Sequence, residues 1–264
     1  MFGKDFIMFL SLVSGSSGNA SLVKNENTTI LIDCGLSAKK LCTLLDEINI
    51  NPTEIDAILI THEHSDHITG AGVMSRRFDI PIYATKNTHQ SMNIGPIKEY
   101  NTKIIDSGCE FEIGNFLINP FSISHDAADP VCYSLSDDKE KYSVLTDTGI
   151  ISQEILKSVA GSDYIMLEAN HDIDMLMYGD YPFSLKKRIT SDKGHMSNDY
   201  AAQCAIKLIE NNTKNIMLSH LSNNNNTPEI AYKTIESVLL RNGVNVSKDI
   251  KLSVANRYEV TRFI

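Results

Sequence analysis

The feature that most constrains this chain of 264 residues is the string Ile58-Leu59-Ile60-Thr61-His62-Glu63-His64-Ser65-Asp66-His67. Its first half is an apolar run of the kind that forms a buried strand, and it ends abruptly in three histidines and an aspartate. In an extended segment residues two apart point the same way, so His62 and His64 can address one metal ion. Asp66 and His67 follow where the chain turns into a helix, and they can face a second ion beside the first. Histidine accounts for only 8 of the 264 residues, so this density argues against a polar turn that holds histidines by chance. The fold must therefore carry a metal centre at the end of a strand.

Elsewhere short strands and helices alternate. Phe6–Val13, Ser21–Lys24 and Thr29–Asp33 are β-like runs separated by a Gly-Ser loop and an Asn-rich turn. A helix capped by Ser37 follows, with Leu41, Leu44, Leu45 and Ile48 on one face. Cys109–Ile113 and Phe116–Ser122 read as a hairpin about Gly114-Asn115, and Tyr142–Leu145, Tyr164–Leu167 and Asn215–Leu218 as further strands. Ala202, Ala205, Ile206 and Ile209 have helical spacing, and Thr227-Pro228-Glu229 is a strong helix start. The mixture is α/β. Early hairpins followed by alternating elements fit two sheets between helices, an arrangement that pattern alone does not select.

No long low-complexity linker interrupts the chain, so residues 1–264 are expected to form a single domain. Cys34, Cys42, Cys109, Cys132 and Cys204 are scattered, odd in number and without a C-x-x-C pair, which suits a reducing cytoplasm. The apolar run Phe6–Val13 is too short to span a bilayer, so neither secretion nor membrane attachment is expected. A net charge of −9 speaks against broad, non-specific nucleic-acid binding. Divalent ions at the histidine cluster and the basic run Lys186-Lys187-Arg188, followed by Lys193, would restore positive charge locally.

The H-x-H-x-D-H string resembles a motif of the metallo-β-lactamase superfamily. Leu31-Ile32-Asp33-Cys34-Gly35, Ile123-Ser124-His125, Thr146-Asp147-Thr148-Gly149 and Leu218-Ser219-His220 resemble its other motifs, in the same order and each at the end of a strand-like run. The resemblance implies an αββα four-layer sandwich, two mixed β-sheets flanked by helices, holding two divalent metal ions per chain. It implies that His62, His64 and His125 bind one ion, Asp66, His67 and His220 the other, and that Asp147 bridges them. The residue types suit such a centre, since neutral imidazoles hold Zn²⁺, Mn²⁺ or Fe²⁺ without cancelling the charge and a carboxylate has two oxygens with which to bridge. Two ions roughly 3.5–4 Å apart generate hydroxide from water near neutral pH. Asp33 is expected to orient a ligand, although a plain strand-end turn residue remains open.

Asp147 stands where many true β-lactamases of this fold use Cys, and His64 where flavodiiron oxidoreductases have Glu. No long C-terminal helical extension of the glyoxalase II kind is visible. Leu167-Glu168-Ala169-Asn170 and Gly194-His195-Met196-Ser197 parallel two segments of tRNase Z. That likeness implies a polarised Glu168–His195 pair, with His195 contacting the phosphate or protonating the leaving oxygen, beside the catalytic Asp66. Asn170 replaces a Thr of that pattern, and no Gly/Pro-rich insertion able to grip tRNA is present.

As a whole the chain is similar to the small bacterial YycJ/WalJ (VicX) group. The strings Ser14-Gly15-Ser16-Ser17-Gly18-Asn19, Glu168-Ala169-Asn170-His171-Asp172 and Tyr181-Pro182-Phe183-Ser184-Leu185-Lys186 carry that likeness. It implies a metal-dependent exonuclease acting on DNA from the 5′ end, with Mn²⁺ favoured. Ser16, Ser17 and Asn19 would lie in a loop whose backbone N–H groups meet a phosphate, or in a simple tight turn. Lys186, Lys187 and Arg188 would track the nucleic-acid backbone, or form a solvated helix end. His171 would share the rim of the site. The alternatives are a small-molecule phosphodiesterase or thioester hydrolase of the same fold, and an interaction module without chemistry. Seven intact ligands speak against the last, and oligomeric state stays open.

Overall fold

In the computed structural model, which describes residues 8–263, the early apolar runs pair into one mixed sheet. β1 (Met8–Val13), β2 (Ala20–Lys24) and β3 (Thr29–Ile32) are antiparallel neighbours. β4 (Ala57–Leu59), β5 (Ile82–Thr85) and β6 (Thr102–Ile105) extend the sheet parallel to β3. Phe6 and Ile7, the expected start of the first strand, lie outside the described residues.

In the second sheet β7 (Phe111–Ile113), β8 (Phe116–Ser122), β9 (Val131–Ser136) and β10 (Lys141–Leu145) run antiparallel. β11 (Tyr164–Glu168), β12 (Asn215–Ser219) and β13 (Lys251–Val254) continue it in parallel. A last strand, β14 (Thr261–Arg262), returns to pair with β1, so among the described residues each sheet has seven strands.

The helices are α1 (Ala38–Glu47), α2 (Ser65–Ile68), α3 (Ala71–Phe78), α4 (Lys86–Ser91), α5 (Gln153–Val159), α6 (Ile173–Tyr178), α7 (Phe183–Ile189), α8 (Asn198–Glu210) and α9 (Pro228–Arg241). Ser37 and Thr227 cap α1 and α9 through their hydroxyls, which accept from Lys40 N and Ile230 N. Among the described residues no helix is long and apolar enough to cross a membrane.

Side-chain alternation along the strands builds the layers. Leu10, Leu12, Leu22, Leu31 and Ile58 face outward from the first sheet onto Leu41 and Leu45 of α1 and Met74 of α3. Their neighbours Phe9, Val23, Ile30, Ile32 and Leu59 face inward, where they meet Phe116, Tyr133, Tyr142, Met166 and Met217 of the second sheet. On the far side Leu145, Ile165, Leu167, Ile216 and Leu218 pack with Ile155 of α5, Ala205 of α8 and Ile235 of α9. The order is helix, sheet, sheet, helix. Strands covered on both faces read as nearly unbroken apolar runs, which is why Ile58–Ile60 shows no polar alternation.

The parallel strands β3 and β4 in one sheet, and β10 to β12 in the other, release the chain at residues that carry polar chemistry. Asp33 follows β3, His62 lies just beyond β4, Asp147 beyond β10, and His220 follows β12. Asp33, Asp147 and His220 are all left-handed, at φ 59°, 58° and 54°. Such a conformation costs a non-glycine residue on the order of 1–3 kcal/mol and clusters at functional sites, because it turns the chain sharply.

Candidate metal centre

Two groups of donors converge at this edge. In the first, His125 Nε2 lies 3.3 Å from His64 Nδ1 and 3.8 Å from Asp147 Oδ1. The His62 ring stands 4.6 Å from that of His64 and 4.9 Å from that of His125. Its Nδ1 meets the Thr61 hydroxyl at 2.9 Å, which leaves Nε2 for the centre.

In the second group, His67 Nε2 is 3.5 Å from Asp66 Oδ2 and 3.4 Å from Asp147 Oδ2. His220 Nε2 is 3.6 Å from Asp66 Oδ2. Donors about 2.0–2.1 Å from a tetrahedral ion stand roughly 3.3–3.4 Å apart, so these separations are those of a ligand shell. Moreover His62 Nε2, Asp147 Oδ2 and His220 Nε2 are buried without a hydrogen-bond partner. Leaving such groups unsatisfied costs about 1–3 kcal/mol each, a cost that ligation removes. The residues fit divalent metal ligation.

The donors are held from behind. Asp33 Oδ2 accepts from His67 Nδ1 at 2.8 Å, while Asp33 Oδ1 accepts from Thr61 N at 2.9 Å. That fixes the His67 ring with Nε2 forward, as carboxylate partners of metal-binding histidines do. The single turn α2 is clamped to the end of β3: Asn19 N donates to Asp66 O at 2.8 Å, and Cys34 N to His67 O at 2.7 Å. Gly35 makes the clamp possible, because a Cβ there would lie 1.7 Å from Asp66 O.

Glu168 is the hub on the opposite side, with no exposed surface. Its Oε1 accepts from His195 Nδ1 at 2.8 Å and from His220 Nδ1 at 2.9 Å. Its Oε2 accepts from Thr148 N and Met196 N, both at 3.2 Å. Burial alone would raise the Glu168 pKa, but the charges and hydrogen bonds of His195 and His220 hold it well below the usual carboxylate range. Conversely, burial disfavours charge on His220, yet Asp147, Asp66 and Glu168 push it up to about 10. His67 is raised in the same way, against its burial, by Asp33, Asp147 and Asp66. His195 too is raised by Glu168 and Asp147 against burial, and its side chain stays 19% exposed. With Nδ1–H on Glu168, the ring offers Nε2 to an incoming molecule.

The substrate residues expected from sequence fare differently. Ser16 and Ser17 are exposed at the tip of their loop. Three N–H groups of the loop are bonded within the fold: Gly15 N donates to Asn19 Oδ1, Gly18 N to Gly15 O, and Asn19 N to Asp66 O. Asn19 instead sits inside the centre, its Nδ2 3.3 Å from Asp66 Oδ2 and 3.2 Å from His67 Nε2.

His171 is buried rather than on the rim, because its segment is locked by a bridge to Ser197; burial pushes its pKa down to about 4. The Lys186 ammonium donates to Met177 O at 2.9 Å and Gly179 O at 2.7 Å. Lys187 is exposed, and Arg188 Nε pairs with Asp126 Oδ2, beside His125. Sequence reasoning missed Thr61, Asp126 and the bond from Glu168 to His220. Only the position of Thr61 directly before His62 offered a signal.

A centre of histidines and aspartates at the strand ends of an αββα sandwich defines a metallo-hydrolase of the β-lactamase superfamily, and residues 28–220 match the beta-lactamase superfamily domain. Exodeoxyribonuclease WalJ of Streptococcus pneumoniae is 41% identical over 245 residues, covering 91% of each chain. Exodeoxyribonuclease YycJ of Bacillus anthracis is 38% identical over 246 residues, 92% of this chain and 93% of that one. The chain belongs to the WalJ/YycJ family of that superfamily. The short form of human tRNase Z, 18% identical, shares the fold with a TM-score of 0.65 over 97% of this chain and 100% of its own.

Proposed function

We propose that the protein is a two-metal exonuclease that removes nucleotides from the 5′ end of DNA. The observation that carries this reading is the convergence of seven donors, His62, His64, Asp66, His67, His125, Asp147 and His220, beside the Glu168–His195 pair. It is supported by the likeness to exodeoxyribonucleases over nine-tenths of the chain. His62, His64 and His125 would hold one ion and Asp66, His67 and His220 the other, with Asp147 shared; Mn²⁺ is the favoured activating ion. When bound, such ions supply Lewis acidity, lowering the pKa of water and stabilising negative charge on a phosphate.

The chain's own residues do the rest. Asp33 and Glu168 orient the histidines that surround the reacting phosphate. In the hydrolysis itself an oxygen of water bonds to phosphorus, the bond from phosphorus to the 3′ oxygen of the terminal nucleotide breaks, and that oxygen takes a proton. His195, tethered through Nδ1 and open at Nε2, is placed to donate that proton or to hold a phosphate oxygen.

The test is cleavage of end-labelled single- and double-stranded DNA by protein stripped of metal and refilled with Mn²⁺ or Zn²⁺, with Asp66→Ala as control. Metal-dependent shortening from the 5′ end, lost in the variant, is expected. Intact DNA with metal-loaded protein would move the reading to a small phosphodiester or thioester.

A further inference from the structure

The Gly-Ser loop between β1 and β2 is bonded to the centre at both ends, and each end holds a different donor. At its start the Ser14 hydroxyl accepts from His220 N at 2.8 Å. At its end Asn19 N donates to Asp66 O at 2.8 Å, and Asn19 Nδ2 donates to Asp66 Oδ2 at 3.3 Å. Ser14 and Asn19 are both buried. The two ends are also joined to each other, since Asn19 Oδ1 accepts from Gly15 N at 2.9 Å and Gly15 O from Gly18 N at 2.9 Å. A backbone N–H can be received only by the amide oxygen, so the amide nitrogen of Asn19 must face Asp66. With no lone pair to give, that nitrogen is a partner of the carboxylate and not a ligand.

The donors held in this way come from different halves of the fold. Asp66 lies in α2, beyond β4 of the first sheet, and His220 follows β12 of the second. The 3.6 Å between Asp66 Oδ2 and His220 Nε2 therefore depends on what spans the two halves. His220 is left-handed, at φ 54°, a conformation that persists only where its surroundings hold it. Gly15 lets the loop lie against that turn: its φ is 149°, and a Cβ there would stand 3.2 Å from Leu221 O and 2.6 Å from Arg257 Nη1. Among the described residues no hydrogen bond joins the loop to His62, His64 or His125.

We propose that the Gly-Ser loop is a clip that sets the distance between Asp66 and His220, which makes Ser14 and Asn19 positioning residues for one ion of the pair. The proposal rests on the two-ion part of the proposed function and is indifferent to which ester is cleaved. Donors fixed at their spacing before the ion arrives need no ordering when it binds, and loss of such partners weakens binding by about 10–100-fold. The ion held by His62, His64 and His125 gains nothing from the clip.

The experiment titrates metal-stripped wild type, Ser14→Ala and Asn19→Ala with Mn²⁺ in competition with a chromogenic chelator. Electron paramagnetic resonance at one and two equivalents separates isolated ions from a coupled pair, and urea unfolding of the metal-free proteins reports the fold. In each variant one affinity is expected to fall by about 10–100-fold while the other stays at the wild-type value, with the signal of the coupled pair reduced. Ser14→Cys, which keeps the size and weakens the acceptor, replaces an alanine variant that does not fold, and the same split is expected of it. Two unchanged affinities overturn the proposal. So does an equal fall in both together with a lower unfolding midpoint, which would make the loop a support of the fold alone. A wild type that takes up fewer than two ions overturns the two-ion reading and the clip with it. A wild type that binds two ions and leaves DNA intact overturns the exonuclease reading and leaves the clip to be judged by the split.

Discussion

Replacing Glu168 by Gln tests the hub that joins the proton-handling side of the centre to its metal-binding side. The carboxylate is fully buried and both oxygens are used twice, Oε1 by His195 and His220 and Oε2 by two backbone N–H groups. Glutamine keeps the shape but turns one acceptor into a donor. If its amide nitrogen takes the place of Oε2, it faces Thr148 N and Met196 N, and two buried backbone donors lose their acceptor. At about 1–3 kcal/mol for each unsatisfied group, the loss is roughly 2–6 kcal/mol. If the amide flips, the histidines must present bare Nδ1 atoms and move their protons to Nε2, which closes His220 to metal. Metal affinity then falls by about 10–100-fold, as for other partners of ligating histidines. Urea unfolding of the metal-free protein and chelator competition with the loaded protein measure the two branches. A Glu168→Gln protein that matches the wild type in both stability and metal affinity would refute the reasoning.

Three further outcomes follow from the same geometry. Because the pKa of His220 is pushed up to about 10 and that of His67 is raised, the metal-free protein holds protons that metal must expel. Calorimetry in buffers of different ionisation heat should register proton release at neutral pH, and metal affinity should rise with pH toward about 10. In the metal-free protein the sign is opposite: the charged histidines stabilise fully below the unfolded pKa of about 6.5, and that contribution fades as pH rises through the folded value. Asp33→Ala, which strips His67 Nδ1 and Thr61 N of their acceptor, should weaken metal binding by about 10–100-fold, read by competition with a chromogenic chelator. Gly35→Ala should displace Asp66, since the new Cβ would lie 1.7 Å from its carbonyl oxygen; loss of metal-dependent activity with retained far-UV circular dichroism is expected.

The candidate metal centre was legible in sequence because its donors stand at strand ends. An apolar run that stops at a histidine or aspartate records both the burial of the strand and the open edge beyond it, and Ile58–His62 and Leu218–His220 do so without help from tertiary context. The layers were not legible in this way, since strand and helix runs fit two sheets between helices without selecting them and the likeness to the metallo-β-lactamase motifs supplied the arrangement. Among the strands that escaped notice, β6 lies at a sheet edge with Lys103 and Ile104 both exposed, so its side chains do not alternate. Pairings across the fold left no local mark. That the N–H groups of Gly15 and Asn19 in the Gly-Ser loop are taken depends on the Asn19 side chain and on the carbonyl of Asp66, far along the chain. That Glu168 serves His220 as well as His195 depends on β11 and β12 lying side by side with Glu168 opposite Ser219. The left-handed turns at Asp33, Asp147 and His220 are invisible where glycine would have announced them.

The central claim is that the seven donors form a two-ion hydrolytic centre, and it is tested most directly by adding Mn²⁺ stepwise to metal-stripped protein while following the shortening of 5′-labelled single-stranded DNA. No cleavage without metal, and a rise that levels off at two equivalents per chain, is the predicted result. Cleavage by protein shown to be free of metal, or a fully loaded protein that leaves the DNA intact, would contradict it.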